Sequence, residues 1–451
     1  MATFTAYEQL LLELVNRARM DPLGEAARNG IGLNDGLAAG TISAAPKQPL
    51  APNNAIVTAA RNHSQHMINT DLFAHSGIGD GTPTSRMQAA GYALSGSWMT
   101  GENIAWVGTT GTPNLLAFTL DIHDNLFVSP GHRVNLMNAS FRELGTGVVA
   151  GPFASGGTTY NAVMATENFG LSGSKYFVSG VAINDNDRDN FYDIGEARAN
   201  VTVTVTTAGI RDGSDATEAA GGYGVAVNAG THVVTFSGGG LAAPVTAVVS
   251  GGAANVKVDL AGTNEILSSA TTTLSTGAVH LTLLGAANIS GVGNTLNNVI
   301  TGNKGNNTLA GGAGSDTLLG LAGNDVLRGD AGRDVLSGGA GNDTFDFNLV
   351  SDTGKTTSMR DLITDFVRGN DKIDVSGIDA NGAGAGLTAF SWKGAAAFSG
   401  VAGQLHYRLE NPTGTANDKT IVEGDTNGDR VADFHIELRG LVSLAGTDFV
   451  L

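Results

Sequence analysis

Aspartate residues recur every nine positions in the glycine-rich stretch from Gly302 to Asp346. Five units follow one another without a gap: GNKGNNTLA, GGAGSDTLL, GLAGNDVLR, GDAGRDVLS and GGAGNDTFD. Their sixth positions are Asn307, Asp316, Asp325, Asp334 and Asp343. Glycines permit turns whose carbonyl oxygens point inward, and the carboxylates complete the all-oxygen shell that calcium prefers. The pattern predicts a parallel β-roll that holds several calcium ions.

Calcium binding and folding of this repeat region are expected to be one event. Without a cation, rows of carboxylates would repel each other across a narrow solenoid that has little apolar area. A flexible glycine-rich linker is the alternative that composition permits. The in-phase apolar residues at the eighth positions argue against it; they are Leu309, Leu318, Leu327, Leu336 and Phe345. From about Gly262 to Gly293 we expect imperfect solenoid turns that precede the first repeat.

A second oxygen-rich segment, NDNDRDNFYDIGE, ends at Glu196. Its candidate ligands stand at loop positions one, three, five, seven, nine and twelve: Asp185, Asp187, Asp189, Phe191 through its carbonyl, Asp193 and Glu196. This spacing predicts a calcium loop like that of an EF-hand, although the flanks have strand patterns. Asn190 stands at the usual Gly position and tolerates a left-handed turn. A solvated acidic turn is the alternative.

A third segment near the C-terminus alternates oxygen-bearing side chains at Asp425, Asn427, Asp429 and Asp433. This spacing predicts either another calcium loop or a polar hairpin turn.

The repeats resemble the repeats-in-toxin (RTX) family. The segments DLITDFVRGNDKIDVSGID, GQLHY and VEGDTNGDRVADFHIELRG resemble the C-terminal domain of serralysin-type proteases. This resemblance spans roughly Ile289 to Leu451 and implies a β-roll closed by a small β cap. It also implies that a type I secretion machine reads the C-terminus, where Asp448 precedes three apolar residues. The chain has no HExxH motif, so metalloprotease chemistry is not implied.

The N-terminal part has helical patterns from Tyr7 to Met20 and from Asn54 to Thr70. It also contains FAHSG, GENIAW, SPGHRVNLMN and FRELGTGVV. Together these motifs resemble a bacterial CAP domain, the family of cysteine-rich secretory proteins, antigen 5 and pathogenesis-related proteins. The resemblance covers roughly Thr5 to Phe169. It implies an α-β-α sandwich with a cleft in which two His and two acids converge.

Residue by residue, the resemblance puts His75, Glu102 and His132 in this cleft. The family's fourth acid falls near Ser129, so Asp121, His123, Asp124 or Glu143 could take its place, and His123 is kept as a candidate metal ligand. Two imidazoles and a carboxylate could hold zinc or another divalent metal, or could do acid–base work without one. A purely structural or ligand-recognition role is the third alternative.

Other polar residues of this part have structural interpretations. His63 and His66 are expected on the helix surface or at the edge of the core. Arg86 and Arg133 are expected to pair with Glu102 or Glu143. No nucleophile can be assigned, because Ser76 lacks a GxSxG context.

The composition limits the partners. The chain has 42 Asp and Glu against 25 Lys and Arg, a formal charge of -17, which argues against nucleic acid or an anionic membrane surface. There is no Cys, so neither disulfides nor thiolate zinc sites support the fold. The first twenty residues lack a basic region followed by an apolar one, and no transmembrane helix is expected. We therefore expect export without a cleaved N-terminal signal peptide.

We predict a multidomain protein with three parts. Residues 1–171 form the α-β-α CAP head, residues 172–262 an Ig-like β-sandwich with the EF-hand-like loop, and residues 263–451 the β-roll with its cap. The middle part resembles the calcium-stiffened spacers of bacterial surface adhesins. The predicted function is that of a secreted, monomeric calcium-binding protein whose head binds an extracellular, cell-surface or lipid ligand. An extracellular hydrolase of peptide or ester bonds and a calcium-assembled surface or biofilm matrix component are the alternatives.

Overall fold

The computed structural model describes residues 3–382, 386–410 and 418–451. It divides into two compact units, Met1–Ser269 and Ala270–Leu451. Among the described residues, no helix combines the length and apolar character needed to cross a membrane.

The first unit begins with helices on both faces of a small sheet. The helices are α1 (Ala6–Met20), α2 (Pro22–Arg28), α3 (Asn54–Thr70), α4 (Pro83–Ala89), α5 (Leu115–Val128) and α6 (Pro130–Leu136). The strands are β1 (Ala51–Pro52), β2 (Trp98–Thr109), β3 (Glu143–Ser155) and β4 (Thr158–Ser172). Their order is β1-β3-β4-β2, with β1 parallel to β3 and the other pairs antiparallel. Both helical patterns read from the sequence, α1 and α3, are confirmed.

Apolar side chains fill both sides of this sheet. On one side, Leu11 of α1 and Phe127 of α5 pack with Val163 of β4. On the other side, Met67 of α3 packs with Met164. The sheet is therefore the middle of three layers, and burial fixes the helices on either face, including α6, which carries His132.

Helix α3 approaches β3 unusually closely because two glycines face it. A Cβ atom on Gly145 would overlap main-chain atoms of Ile56 and Val57, and one on Gly147 would overlap those of Ala60 and Arg61. The glycines of the ELGTGVV segment thus set the distance between this helix and the sheet.

The rest of the first unit consists of strands. They are β5 (Tyr176–Ile183), β6 (Val201–Thr207), β7 (Ile210–Ala216), β8 (Gly222–Val227), β9 (Gly230–Gly238), β10 (Val245–Gly252), β11 (Val256–Ala261) and β12 (Glu265–Ser268). They hydrogen-bond in the orders β10-β9-β6-β7 and β12-β11-β5-β8. The pair β5 and β11 is parallel, and the other pairs are antiparallel.

A buried lysine ties these strands to the first helix. Lys257 of β11 lies 2.9 Å from Glu13 of α1 and pairs with Asp259, and all three side chains are almost completely buried. Burial alone would lower the pKa of Lys257, but the two carboxylates raise it overall. Removing either carboxylate would leave a poorly compensated buried charge, so this contact fixes α1 against β11.

The second unit is built from short strands. They are β13 (Thr271–Leu274), β14 (His280–Leu283), β15 (Ser290–Val292), β16 (Val299–Thr301), β17 (Thr308–Ala313), β18 (Thr317–Leu319), β19 (Val326–Ala331), β20 (Val335–Ser337), β21 (Thr344–Asp346), β22 (Leu362–Ile363), β23 (Lys372–Asp374), β24 (Ser391–Trp392), β25 (Gln404–Glu410), β26 (Lys419–Asp425), β27 (Phe434–Arg439) and β28 (Phe449–Val450). Successive strands alternate between two mostly parallel sheets up to β23.

The register of these sheets matches the sequence repeat. Leu309 pairs with Leu327, which pairs with Phe345, so one full turn takes 18 residues, or two nonapeptides. The apolar eighth positions are completely buried and form the predicted thin core. The predicted lead-in turns are also present, because β13 pairs with β15 and β15 with β17. The last strand, β28, adds in parallel to β23.

Replacing Gly147 by Ala should destabilise the first unit. The added methyl has no room between β3 and α3, and overpacking of this kind reduces the free energy of unfolding by about 1–3 kcal/mol. Thermal unfolding followed by circular dichroism measures the effect.

Gly111→Ala is the matched control, because a Cβ there meets only Thr109 Oγ1 at an ordinary 3.7 Å. Equal melting temperatures for the two variants would contradict the close approach of α3 to β3.

Candidate functional site

The aspartates of the repeats are arranged as a ladder with unsatisfied oxygens. Asp334 Oδ1 accepts a hydrogen bond from the backbone N–H of Asp316 at 2.7 Å, and Asp343 Oδ1 accepts one from Asp325 at 2.9 Å. The other oxygen, Oδ2, is buried without a hydrogen-bond partner in Asp316, Asp325, Asp334 and Asp343. Buried carboxylate oxygens without donors are strongly unfavourable unless a cation binds them. These residues fit calcium.

Glycines keep space beside these oxygens. A Cβ on Gly329 would overlap Asp334 Oδ2, and one on Gly338 would overlap Asp343 Oδ2. Any side chain at these positions would therefore occupy the space where a cation reaches the carboxylate.

The ladder continues beyond the predicted repeats. Asp361 Oδ1 accepts from the N–H of Asp334 at 2.8 Å, and Asp371 Oδ1 accepts from Asp343 at 3.0 Å. Asp361 Oδ2 is also buried without a partner. Sequence reasoning missed both residues, although each precedes a buried Ile by two positions, as the repeat requires.

Burial and mutual repulsion perturb these carboxyl groups. Burial raises the pKa of Asp325 to about 6 and that of Asp334 to about 7. Burial, followed by the charge of Asp334, raises the pKa of Asp361 to about 9. The repeat region without a cation is therefore electrostatically unfavourable at neutral pH.

The first repeat differs from the others because it carries Asn307 in place of Asp. Its Oδ1 accepts from the N–H of Asn303 at 2.7 Å and its Nδ2 donates to the carbonyl of Ile289 at 2.9 Å. The side-chain amide of Asn307 thus hydrogen-bonds the backbone around it, so its row of aspartates ends here at an uncharged residue.

The EF-hand-like segment also gathers its oxygens. One carboxylate oxygen from each of Asp185, Asp187 and Asp189 lies within 4.8 Å of the others. Burial and the charges of Asp189 and Asp187 raise the pKa of Asp193, which lies beside them. Glu196 is buried, and its Oε2 has no hydrogen-bond partner. The loop therefore fits a calcium ion.

The backbone of this loop follows the prediction for its sixth position. Asn190 has φ of 61°, in the left-handed region that Gly usually occupies. Its N–H donates to Asp185 Oδ1 at 3.2 Å, and the N–H of Phe191 donates to Asp189 Oδ1 at 2.8 Å.

The third oxygen-rich segment is the turn between β26 and β27. Asp425 accepts hydrogen bonds from the backbone of Gly428 and Arg430, and Asp429 accepts one from Val431. Asn427 Nδ2 lies 3.2 Å from Asp433 Oδ1, which also lies 3.5 Å from Lys355. These partners make a complete polar hairpin, and calcium at this turn stays a prediction.

The predicted cleft residues come from three segments: Glu102 lies near the start of β2, His75 between α3 and α4, and His132 on α6. His75 Nδ1 lies 2.9 Å from Glu102 Oε1, and the other oxygen of Glu102 pairs with Arg86. His132 Nδ1 lies 2.9 Å from Ser129 Oγ. Burial lowers the pKa of His132, and the nearby charge of His75 lowers it further. Both imidazoles are thus held through Nδ1, which leaves each Nε2 available to a ligand.

Two asparagines hold the two halves of the cleft together. Asn103, next to Glu102, donates to the carbonyl of His132 at 3.2 Å, and Asn135 of α6 donates to the carbonyl of Glu102 at 3.2 Å. The GENIAW and NLMN motifs therefore fix β2 against α6, a role that sequence reasoning did not assign.

A second histidine and an acid lie behind Glu102. His63 is completely buried, with Nδ1 2.5 Å from Asp80 Oδ2 and Nε2 3.7 Å from Glu102 Oε1. Arg86 also reaches Asp80, at 3.1 Å. The expectation of a surface or core-edge position for His63 is therefore corrected, and Asp80 was missed. Nothing in the FAHSGIGDG spacing separated Asp80 from an ordinary turn residue.

Two of the residues proposed for the fourth position, His123 and Glu143, have other partners, and Asp121 and Asp124 are exposed on α5. His123 lies 3.0 Å from Glu25, and Glu143 binds Tyr92 and Asn53. The carboxylate of Glu25 also pairs with Arg17, and these hydrogen bonds outweigh burial and lower its pKa to about 2. In place of a fourth acid, Ser129 itself contacts His132.

Arg86 pairs with Glu102 as expected, but Arg133 does not pair with either predicted acid. It donates to the carbonyls of Phe127 and Val128, both at 3.0 Å, and so holds the end of α5 against α6.

The cleft fits a zinc ion incompletely. Within the described parts of the chain, two groups bring three acidic or His ligand atoms within 4.8 Å of one another: Glu25, His123 and Asp124, and Asp185, Asp187 and Asp189. The cleft residues form no such group. Both oxygens of Glu102 already have partners. Two free imidazole nitrogens are fewer than the three protein ligands of a catalytic zinc site.

In the calcium-free protein, acid should stabilise the repeat region. Carboxyl groups whose pKa is raised by folding bind more protons folded than unfolded. The folded state therefore loses stability as the pH rises from the unfolded pKa of about 4 through the raised values. Circular dichroism without calcium should show more β-structure at about pH 5 than at about pH 8.

Saturating calcium is the control, because it binds the ionised carboxylates and should remove this pH dependence. Identical calcium-free spectra at both pH values would contradict the raised pKa values.

Replacing Glu196 by Gln should remove one bound calcium per chain, because the buried oxygen without a partner is lost as an anionic ligand. Native mass spectrometry counts the ions. Asp121→Asn on α5 is the control, and an unchanged count in Glu196→Gln would show that this loop holds no calcium.

Comparisons with known proteins match the cleft region and the repeat region to two different families. The family model of the cysteine-rich secretory protein (CAP) family matches residues 12–165, and that of the peptidase M10 serralysin C-terminal region matches residues 280–451. No curated protein sequence matches the chain.

Several solved structures show local similarity. The AlgE6R3 subunit of the Azotobacter vinelandii mannuronan C5-epimerase is 30% identical with a TM-score of 0.27, over 34% of this chain and 78% of that chain. An extracellular protein with an SCP domain from Bacillus anthracis is 22% identical with a TM-score of 0.21, over 35% of this chain and 40% of that chain. From the two family matches, residues 12–165 are a CAP family region and residues 280–451 are a serralysin C-terminal region.

Proposed function

We propose that this chain is a secreted calcium-binding protein whose CAP region binds an extracellular ligand in the cleft between His75 and His132. Both matched families indicate an extracellular calcium-binding protein. The single observation that carries the ligand proposal is the orientation of the two imidazoles, each held through Nδ1 by Glu102 or Ser129.

The chemistry of the cleft favours a ligand with a polar head. An ionised carboxylate only accepts hydrogen bonds, so Glu102 fixes His75 with its proton on Nδ1 and a lone pair on Nε2. A neutral imidazole held in this way accepts a hydrogen bond at Nε2, and a protonated imidazole donates one there. The pair can therefore bind a hydroxyl or a carboxylate.

Exposed apolar side chains close in sequence to the cleft residues favour a ligand with an apolar body. Phe73 and Ile78 flank His75 in the sequence and are 42% and 95% exposed, and Trp98 at the start of β2 is 52% exposed. Exposed large apolar groups close to polar groups are typical of binding surfaces. We therefore propose a single lipid molecule, such as a fatty acid, as the ligand class.

The proposed export route uses the C-terminus and the type I secretion machinery. In the folded unit, Phe449 of β28 is buried and its ring lies 4.6 Å from that of Trp392. A signal at this position is accessible before the repeats fold, which fits transport from a calcium-poor interior.

A hydrolase is the second candidate, because the contact between His75 and Glu102 is also the arrangement that orients a general base. Turnover of a soluble ester would favour this candidate, provided that it disappears in His75→Ala and persists in Gly111→Ala.

The double variant His75→Ala, His132→Ala should bind a fluorescent long-chain fatty acid at least about tenfold more weakly than the native protein, because both polar contacts to the head are lost. Fluorescence titration in saturating calcium measures the affinity. His280→Ala in the second unit is the control. Equal affinities of the native and double-variant proteins would refute the cleft as the ligand site.

A further inference from the structure

We propose that a second cavity in the first unit, distinct from the His75–His132 cleft, binds a small organic polycation that carries several ammonium groups. The cavity has a volume of about 390 Å³, within the range of small-molecule sites. Its walls come from the start of α1, the start of α3, and strands β5, β7 and β8.

The cavity is lined by three carboxylates and by no Lys, Arg or His. The acids are Glu143, Asp215 and Glu218. Among the described residues, none of the three forms an ion pair within 4.0 Å. Arg61 and Arg142 act on Glu218 and Glu143 from a longer range, but Arg61 is paired with Glu8 and Arg142 lies over the ring of Tyr176. No basic side chain in the cavity wall therefore balances the negative charge of these acids.

Neutral donors hold these carboxylates in place. Glu218 accepts from Asn54 Nδ2 at 3.0 Å and from the backbone of Phe4 at 3.1 Å. Asp215 accepts from the backbone of Gly224 at 3.0 Å. Glu143 accepts from Asn53 at 2.6 Å and from Tyr92 at 2.7 Å. Such bonds fix the geometry of the acids but leave the formal charges of Asp215 and Glu218 uncompensated.

A buried acceptor without a partner provides an independent reason to expect a ligand. Gln9 lines the cavity, is 1% exposed, and has an Oε1 atom with no hydrogen-bond donor. Its amide nitrogen is already used, since Nε2 donates to Glu13 at 2.8 Å. A ligand N–H would satisfy this oxygen, and a cationic ligand would also balance the acids.

The arrangement favours an extended organic cation over a metal ion. In the described residues, no ligand atoms of the three acids come within 4.8 Å of one another as a group, so a single ion cannot bridge them. The aromatic rings of Phe4, Phe177 and Tyr223 also line the cavity. Aromatic faces stabilise alkylammonium groups and cover their carbon chains.

The test is calorimetric titration of the calcium-saturated protein with spermidine. We expect binding that weakens at high salt. Asp215→Asn and Glu218→Gln should each reduce the affinity by about tenfold, since each removes one charge-assisted contact. Asp212→Asn, on the same strand β7 but outside the cavity, is the matched control. Circular dichroism and melting temperature establish that each variant is folded.

Gln9→Met separates a specific site from general attraction to an acidic protein, because it removes the unpartnered oxygen without changing the net charge. We expect it to weaken spermidine binding as well. The proposal is overturned if no heat of binding is found, if Asp212→Asn weakens binding as much as Asp215→Asn, or if the Asp215→Asn, Glu218→Gln double variant binds as tightly as the native protein. Competition by calcium that exceeds the effect of sodium chloride at equal ionic strength would instead show a metal site and would also overturn it.

Discussion

The second unit depends on buried carboxylates that need a positive partner. Six aspartates form two rows along its turns, Asp316, Asp334 and Asp361 in one and Asp325, Asp343 and Asp371 in the other, and most have one oxygen without a donor. A fold with such a thin apolar core has little other energy to offset their repulsion. Because the same carboxylate oxygens repel one another and would serve as calcium ligands, we expect the calcium concentration to decide whether this unit is folded.

Several buried charges of the first unit have oppositely charged partners within the unit. Glu13 and Asp259 balance Lys257, Arg86 balances Glu102 and Asp80, and Arg17 balances Glu25. Buried charges with fixed partners make a rigid support, which suits the proposed role of the two imidazoles in ligand binding. The acids around Gln9 differ from these pairs, because among the described residues none of them forms an ion pair within 4.0 Å.

The sequence was most informative in the repeat region, where a nine-residue period determines the backbone structure. The nine-residue repeat predicted the β-roll and its buried eighth positions, and the structure adds the register, in which two units make one turn and place Leu309 beside Leu327. It failed at Asp361 and Asp371, where the connecting segments interrupt the period although the local Asp-x-Ile pattern persists. In the CAP region, motifs located His75, Glu102 and His132. The contacts of His63 with Asp80, and the cavity that joins Gln9 to Glu218, depend on segments distant in the chain, and no local pattern encodes them.

The last strands of the two sheets in the second unit limit self-association. A parallel sheet that stops at a long, flat strand presents unpaired N–H and C=O groups on which another copy can continue the ladder. Here the final strands at that end, β28 in one sheet and β24 in the other, are only two residues long. Such short edges offer almost no template, so the hairpins and tail after the last repeat act as a stop against end-to-end stacking of rolls. Chains shortened before β27 would expose β22 and β23 as open edges, and aggregation rather than simple loss of structure would be the expected fate of such fragments.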